Sequence, residues 1–238
     1  MTHIQTPKHQ AASFMELRVH SQQVGHVGSN TERRAAIGTN PDVLTDIYQN
    51  YVNMAIWQRQ ISTSLNAECL SLLANKQFTG EQLILSTDKS SCLEELLPAL
   101  SRYPNLLEDM QTLVDMFSCL FDPESIGLRL TPLSKSMCPK FHVDRVPCRL
   151  ITTYIGAGTE WLQHSDVDRS KLGAGSGGLS DADSGLYPNI DSIKTLSSGD
   201  TALLKGESWE GNEGGGLVHR SPTVDTEQRR LLLTLDFI

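Results

Sequence analysis

No stretch of this sequence reaches the roughly 18 consecutive apolar residues of a membrane-spanning helix, and positions 1–40 lack the short apolar core of a secretory signal. The expected address is therefore cytoplasmic. Cysteine is scarce and unpaired in pattern: Cys69, Cys92, Cys119, Cys138 and Cys148 are odd in number and include no C-x-x-C. That excludes a disulfide framework or a zinc knuckle and reads as reduced thiols. Clusters of lysine and arginine are also missing, and the net charge is -8, so the chain has no basic footprint for a phosphate backbone. A small-molecule or protein substrate is the expected partner, with no clear nucleic-acid footprint and no membrane; the oligomeric state stays open.

What is present fits a globular protein: 238 residues, 39% hydrophobic and 20% charged, with 18 glycines and 10 prolines to make turns. Residues 1–38 are polar and carry His3, His9, His20 and His26 at spacings that match no compact ligand motif, so a poorly ordered tail is expected. From Asn40-Pro41-Asp42 a helical part extends to residue 122. Asn40 or Asp42 can cap, and Val43, Leu44, Ile47, Tyr48, Tyr51 and Val52 recur at helical spacing, with a short strand as the alternative for Val43 to Tyr48. Ile61 to Asn75 continues helically, Gln82 to Ser86 reads as a strand, and Leu93 to Leu100 is a helix interrupted by Pro98. In Leu106 to Leu120 the residues Leu106, Met110, Leu113, Val114, Phe117 and Leu120 share one face, as in a helix that buttresses a sheet.

The texture changes after Asp122-Pro123. Ile126 to Leu130, Arg149 to Ile155, Ser192 to Leu196, Ala202 to Lys205 and Leu231 to Phe237 are short strand candidates, separated by loops such as Ser170 to Gly185 and Gly211 to Gly216. Short strands joined this way indicate an antiparallel sandwich or jelly roll rather than βαβ units. The fold class expected is α+β, with a helical part over 39–122 packing on a β domain over 123–238.

One stretch concentrates chemistry. In Lys140-Phe141-His142-Val143-Asp144, an extended backbone puts His142 and Asp144 on the same side, where imidazole and carboxylate can meet one ion. His219, delivered from a distant strand, would complete two histidines and one carboxylate on one face of an octahedral metal, the arrangement of non-heme Fe(II) oxygenases. His164-Ser165-Asp166 is a second H-x-D upstream of His219. His142 is preferred because it leads directly into a strand, whereas His164 precedes a Gly/Ser/Asp loop suited to a lid. Cys138 and Cys148 flank the stretch, but C-x9-C is not a zinc spacing, and small core residues are the simpler reading.

Phe141 to Asp144, the strand Arg149 to Ile155, Gly199-Asp200-Thr201-Ala202-Leu203-Leu204, His219 and a basic residue opening the last strand resemble the Fe(II)- and 2-oxoglutarate-dependent dioxygenase superfamily, in its prolyl-hydroxylase-like branch. The resemblance covers about residues 125 to 238. It implies a double-stranded β-helix, a cupin-like jelly roll, in which His142, Asp144 and His219 hold Fe(II). It also implies that 2-oxoglutarate is decarboxylated to succinate while a substrate is hydroxylated. The far carboxylate of the co-substrate needs a cation about ten residues after the distal histidine, and Arg229 and Arg230 both stand there. Arg230 is favoured because it shares strand parity with Leu232 and Thr234, whose hydroxyl could add a hydrogen bond. Thr152 and Tyr154, alternate residues of the preceding strand, are candidate pocket-lining donors. The whole chain also resembles an uncharacterised bacterial protein family, in segments such as Asn53 to Arg59, Gly158 to Leu162 and Lys205 to Trp209. Two other functions share these residues: a non-catalytic cupin-like module that binds a metal or small ligand, and a zinc-dependent hydrolase. The prime substrate is not legible.

Overall fold

The computed structural model describes residues 32–87, 92–223 and 229–238. Its elements, in chain order, are β1 (Arg34–Gly38), β2 (Val52–Trp57), α1 (Thr63–Ala74), β3 (Glu81–Ser86), α2 (Leu93–Leu96), α3 (Pro104–Phe121), β4 (Ser125–Leu133), β5 (Cys148–Ile155), β6 (Glu160–Leu162), β7 (Ile193–Thr195), β8 (Thr201–Lys205), β9 (His219–Arg220) and β10 (Arg230–Phe237). Seven strands make the main sheet, in the order β1-β2-β8-β5-β10-β4-β3, and three make a smaller one, β7-β6-β9. Every pairing is antiparallel except β1 with β2.

The main sheet is covered on both faces, and side-chain parity assigns each residue to one of them. Along β10, Leu231, Leu233 and Leu235 join α1 and α3 in the largest apolar cluster, with Leu106, Met110, Leu113 and Phe117 of α3. Met54, Ile56, Ile151, Ala202 and Leu204 point to the other face and pack with Trp161, Leu196 and Leu217, on and around the small sheet. The described residues thus form helices, main sheet and small sheet in succession.

The expected helical part over 39–122 is only partly helical. α1 and α3 form where the pattern placed them, each with a first-turn N–H satisfied by a side chain. Ser62 accepts from Leu65 N–H at 3.1 Å, while Glu68 of α1 accepts from Leu106 N–H at 2.9 Å at the start of α3. Asn40 caps a 3-10 helix over Pro41–Tyr48, whose buried Leu44 and Ile47 lie three apart as in a helix. Two strands of the same segment, β2 and β3, however, belong to the main sheet. β2 lies between β1 and β8 and is buried on both faces, so it lacks the polar alternation that marks a strand in sequence. The tail expected over 1–38, with its four histidines, lies outside the described residues up to position 31. Within it Arg34–Gly38 is a strand, because β2 offers it a free edge and the backbone groups pair there in parallel. Among the described residues no helix is long and apolar enough to cross a membrane.

One buried charge has a stability consequence. Lys205, 2% exposed, donates to the Gln49 carbonyl at 3.1 Å and lies 4.6 Å from the centre of the Trp209 ring. Burial lowers its pKa to about 8. Below that pH the ammonium is charged in both the folded and unfolded chain, and its desolvation opposes folding. Between about pH 8 and the ordinary lysine value near 10.4 the folded chain has released the proton and the unfolded chain has not, so stability rises with pH. We expect the Lys205→Met protein to gain on the wild type most at pH 7, the gap shrinking by up to about 3 kcal/mol by pH 10.5. Urea denaturation at both pH values measures it; a pH-independent gap contradicts the assignment.

Candidate metal centre

His142 and His219 are joined through their backbones. Each donates its N–H to the other's carbonyl at 3.0 Å, an isolated antiparallel bridge that sets β9 beside the segment preceding β5. The two rings are 4.6 Å apart between centroids. Asp144, two residues on, places Oδ1 3.7 Å from His142 Nε2 and Oδ2 3.6 Å from His219 Nε2. One donor atom from each of the three residues lies within 4.8 Å of the others.

The protonation of the histidines follows from their partners. His142 Nδ1 lies 2.9 Å from the Lys140 carbonyl and His219 Nδ1 3.2 Å from the Leu217 carbonyl. A carbonyl oxygen can only accept, so both Nδ1 atoms carry the hydrogen, and in the neutral rings both Nε2 lone pairs face Asp144. Burial lowers the His219 pKa to about 4, against the opposing pull of Asp144, so this ring is neutral near pH 7. Two imidazoles and a carboxylate converging on one point form a metal-type donor set.

Around this point the main sheet contributes a network of charge. Arg149 on β5 donates Nη1 to Asp144 Oδ2 at 2.6 Å and Nε to Asp236 Oδ1 at 2.5 Å, and Asp236 Oδ2 also takes Arg129 of β4. A cavity of about 250 Å³ opens beside the histidines, with Arg129, Arg149, Ile151, Leu232 and Thr234 in its wall. Arg220, next to His219, is bonded to Glu160 Oε2 at 2.6 Å and to Asp181 Oδ2 at 3.3 Å.

The residues expected to line a co-substrate pocket divide between the two faces of the sheet. Arg230 lies on the cavity side and is 1% exposed; Nη2 donates to Thr153 Oγ1 at 3.3 Å, while Nε and Nη1 have no hydrogen-bond partner among the described residues. Burial lowers its pKa to about 10, so it remains a cation at neutral pH. Its close fit needs Gly156, at φ +91, where an added Cβ would come within 2.8 Å of Arg230 Cγ. Arg229 faces the helices and donates to the Leu73 carbonyl at 2.6 Å. Thr234 lines the cavity but accepts from Arg129 Nε at 3.3 Å. It stands four residues from Arg230, roughly 13 Å along the strand, so the hydroxyl beside Arg230 is that of Thr153. Thr152 and Tyr154 correct the expectation. On β5 it is Arg149 and Ile151 that line the cavity, with Thr153 on the same strand parity; Tyr154 donates to Asp109 of α3 at 2.7 Å, and Thr152 shares that opposite parity.

The competing motif folds otherwise. His164 to Asp166 is a 3-10 turn in which His164 Nδ1 faces Arg169 at 3.4 Å and Asp166 accepts from Ser165. The loop after it, suited by composition to a lid, is fastened to the site: Asp181 accepts from Phe141 N–H at 2.9 Å as well as from Arg220. The glycine-rich loop before His219 is likewise held, with Glu207 accepting from Gly214 and Gly216 N–H at 2.8 and 3.2 Å and Asn53 donating to the Gly215 carbonyl at 3.1 Å. Cys148 is fully buried with its pKa raised by desolvation, and Cys138 is exposed at the cavity wall. Sequence reasoning missed Arg149, Asp236, Asp181 and Thr153. Parity with Arg230 and Thr234 could have flagged Asp236, but the carboxylates across loops left no signal.

The fold has counterparts among solved dioxygenase structures. Among solved structures, the dioxygenase for auxin oxidation 1 of Arabidopsis thaliana, in binary complex with 2-oxoglutarate, superposes with a TM-score of 0.52 at 9% identity, covering 87% of this chain and 92% of that one. The rice dioxygenase for auxin oxidation is similar at TM-score 0.48, with 11% identity over 87% and 83% of the chains. A prolyl-4-hydroxylase of Pseudomonas putida matches at TM-score 0.40, with 12% identity over 82% and 96%. At such identities the likeness is one of fold, and the first of the three carries it. Residues 38–236 match the model of the family described as protein of unknown function DUF1826, and the chain belongs to that family. No curated protein matches it.

The turn carrying Asp144 rests on Gly206: a Cβ there would stand 2.0 Å from the Val146 carbonyl oxygen and 2.8 Å from that of Asp144. Gly206→Ala must push this turn off β8. We expect it to cost about 1–3 kcal/mol in urea unfolding. An unchanged midpoint would contradict this tight contact.

Proposed function

We propose that the protein is an Fe(II)- and 2-oxoglutarate-dependent dioxygenase built on a double-stranded β-helix, and that it hydroxylates a small-molecule or protein substrate. The observation that carries this is the His142, Asp144 and His219 donor set together with a buried arginine that shares strand parity with the cavity-wall residues Leu232 and Thr234 and whose guanidinium keeps two nitrogens without a partner among the described residues. Buried polar groups are otherwise nearly always satisfied, and an orphaned pair of N–H donors in a planar fork fits a carboxylate. His142, Asp144 and His219 would hold the iron, and Arg230 with Thr153 would hold the far carboxylate of the co-substrate. When bound, iron and 2-oxoglutarate supply the oxidising chemistry, in which dioxygen gives one atom to a substrate C–H bond and one to the succinate formed with release of CO2. The protein's own groups have three tasks. The two Nδ1–H···O=C bonds aim the imidazoles, Arg230 orients the co-substrate, and the apolar contacts of Ile151 and Leu232 keep water from the cavity wall.

Anaerobic titration of 2-oxoglutarate into the Fe(II)-loaded protein tests the reading, through heat and through the weak visible band of a chelated 2-oxo acid. We expect His219→Ala to abolish iron uptake. Arg230→Ala should keep iron while losing 2-oxoglutarate affinity by at least about 2 kcal/mol, the scale of a buried charged hydrogen bond. Arg229→Ala should leave both unchanged. Iron binding without any response to 2-oxoglutarate would favour the cupin-like binding module instead.

A further inference from the structure

We infer that the prime substrate of this centre is a small carboxylic acid, bound as its anion by Arg129 of β4. The inference rests on the dioxygenase reading and adds to it the class of substrate. Arg129 stands directly opposite Thr234 in the β4–β10 register, in the wall of the cavity of about 250 Å³ beside His142 and His219. Its Nε donates to Thr234 Oγ1 at 3.3 Å and its Nη2 is bonded to Asp236, while Nη1 has no hydrogen-bond partner among the described residues. The side chain is 44% exposed, against 22% for Arg149, so this guanidinium is fixed by two nitrogens and keeps a third free for a ligand. Thr131, two residues on and therefore on the same side of β4, brings a hydroxyl to the same wall.

Charge balance decides the sign of that ligand. Arg220 has its own two carboxylates, Glu160 and Asp181. Arg129 and Arg149 share Asp236, and the second carboxylate on Arg149 is Asp144. A divalent ion at Asp144 adds two positive charges, and the chelating carboxylate of the co-substrate returns one negative charge. One positive charge is then left over, and Arg129 is the guanidinium with a free nitrogen. A monoanion cancels it, whereas a phosphate dianion exceeds it. The co-substrate does not fill this role, because its far carboxylate belongs to Arg230, roughly 13 Å along β10 from Thr234. Ile151 and Leu232 in the same wall suit a hydrocarbon body, and the cavity volume limits it to a small molecule.

The test loads the full chain anaerobically with Fe(II) and 2-oxoglutarate, then titrates phenylacetate, hexanoate and their primary amides by calorimetry, with phenyl phosphate as the competing anion. We expect at least one carboxylate to bind roughly tenfold or more tightly than its amide, the scale of a hydrogen bond to a charged group. Arg129→Gln should remove that preference while the affinities for the amide and for 2-oxoglutarate stay within about threefold, far below the loss expected of a charged anchor. Asp236 keeps Arg149 in this variant, so no buried carboxylate is orphaned, and circular dichroism checks that the protein is folded. Arg129→Lys should retain part of the preference, because an ammonium replaces the planar fork by a point charge. Three results overturn the inference while leaving the dioxygenase reading standing: no carboxylate preferred to its amide, a preference that survives Arg129→Gln, or phenyl phosphate bound more tightly than either acid. Loss of 2-oxoglutarate affinity in Arg129→Gln overturns it too, by making Arg129 an anchor of the co-substrate. If Arg129→Gln does not fold, undiminished carboxylate affinity in Arg129→Lys overturns it. Uptake of Fe(II) and 2-oxoglutarate by the wild type is measured before any probe is added; if either is absent, the dioxygenase reading fails and this inference with it.

Discussion

Two backbone hydrogen bonds between His142 and His219 decide where the chemistry of this chain is concentrated. They join segments far apart in sequence, and neither histidine would meet the other without them. The bridge also fixes Nδ1 of both rings against local carbonyls, so the same backbone that brings the imidazoles together orients them. Phe141 and Arg220, the immediate neighbours of the two histidines, are drawn together by Asp181 from a third segment. Two bonds between main chains and one shared carboxylate therefore hold the geometry from opposite sides.

The electrostatics have a consistent layering. Along the main sheet the carboxylates are deeper than the arginines that pair with them: the Asp236 side chain is 7% exposed and that of Arg129 44%. Guanidinium groups are thus presented towards the cavity, with their counter-charges behind them in the sheet. Buried ion pairs recover their desolvation cost only when geometry and hydrogen bonding are good, and Asp236, with an arginine on each oxygen, meets that condition. Arg230 is the exception, since two of its nitrogens have no partner among the described residues.

The sequence was most legible where periodicity and topology agree. The α3 stripe reads correctly because a helix that covers a sheet has one apolar face and one wet one. β5, β8 and β10 read correctly as strands because their β-branched and leucine-rich runs are bounded by turn residues. β2 did not, because burial on both faces erased alternation, and β6 and β9 are too short for any pattern. In the site, the H-x-D spacing and the preference for Arg230 over Arg229 came from strand parity, a local property, and the distal histidine from the donor set that a two-histidine, one-carboxylate centre needs. Parity misplaced Thr152 and Tyr154 because it relates residues to one another without saying which set faces which layer. Tyr154 found a carboxylate on α3, and the neighbouring odd positions received the cavity.

By itself the sequence determined which residue types could meet at one point and which alternate along each strand, because φ/ψ preferences and side-chain periodicity are encoded over a few residues. Only the tertiary structure decided which of two H-x-D motifs meets His219, which face of β5 turns to the cavity, and that Asp144 is held by Arg149 and Asp181 by Arg220. Those outcomes depend on contacts between segments widely separated in the chain, and on the charges that burial forces into pairs once the layers close.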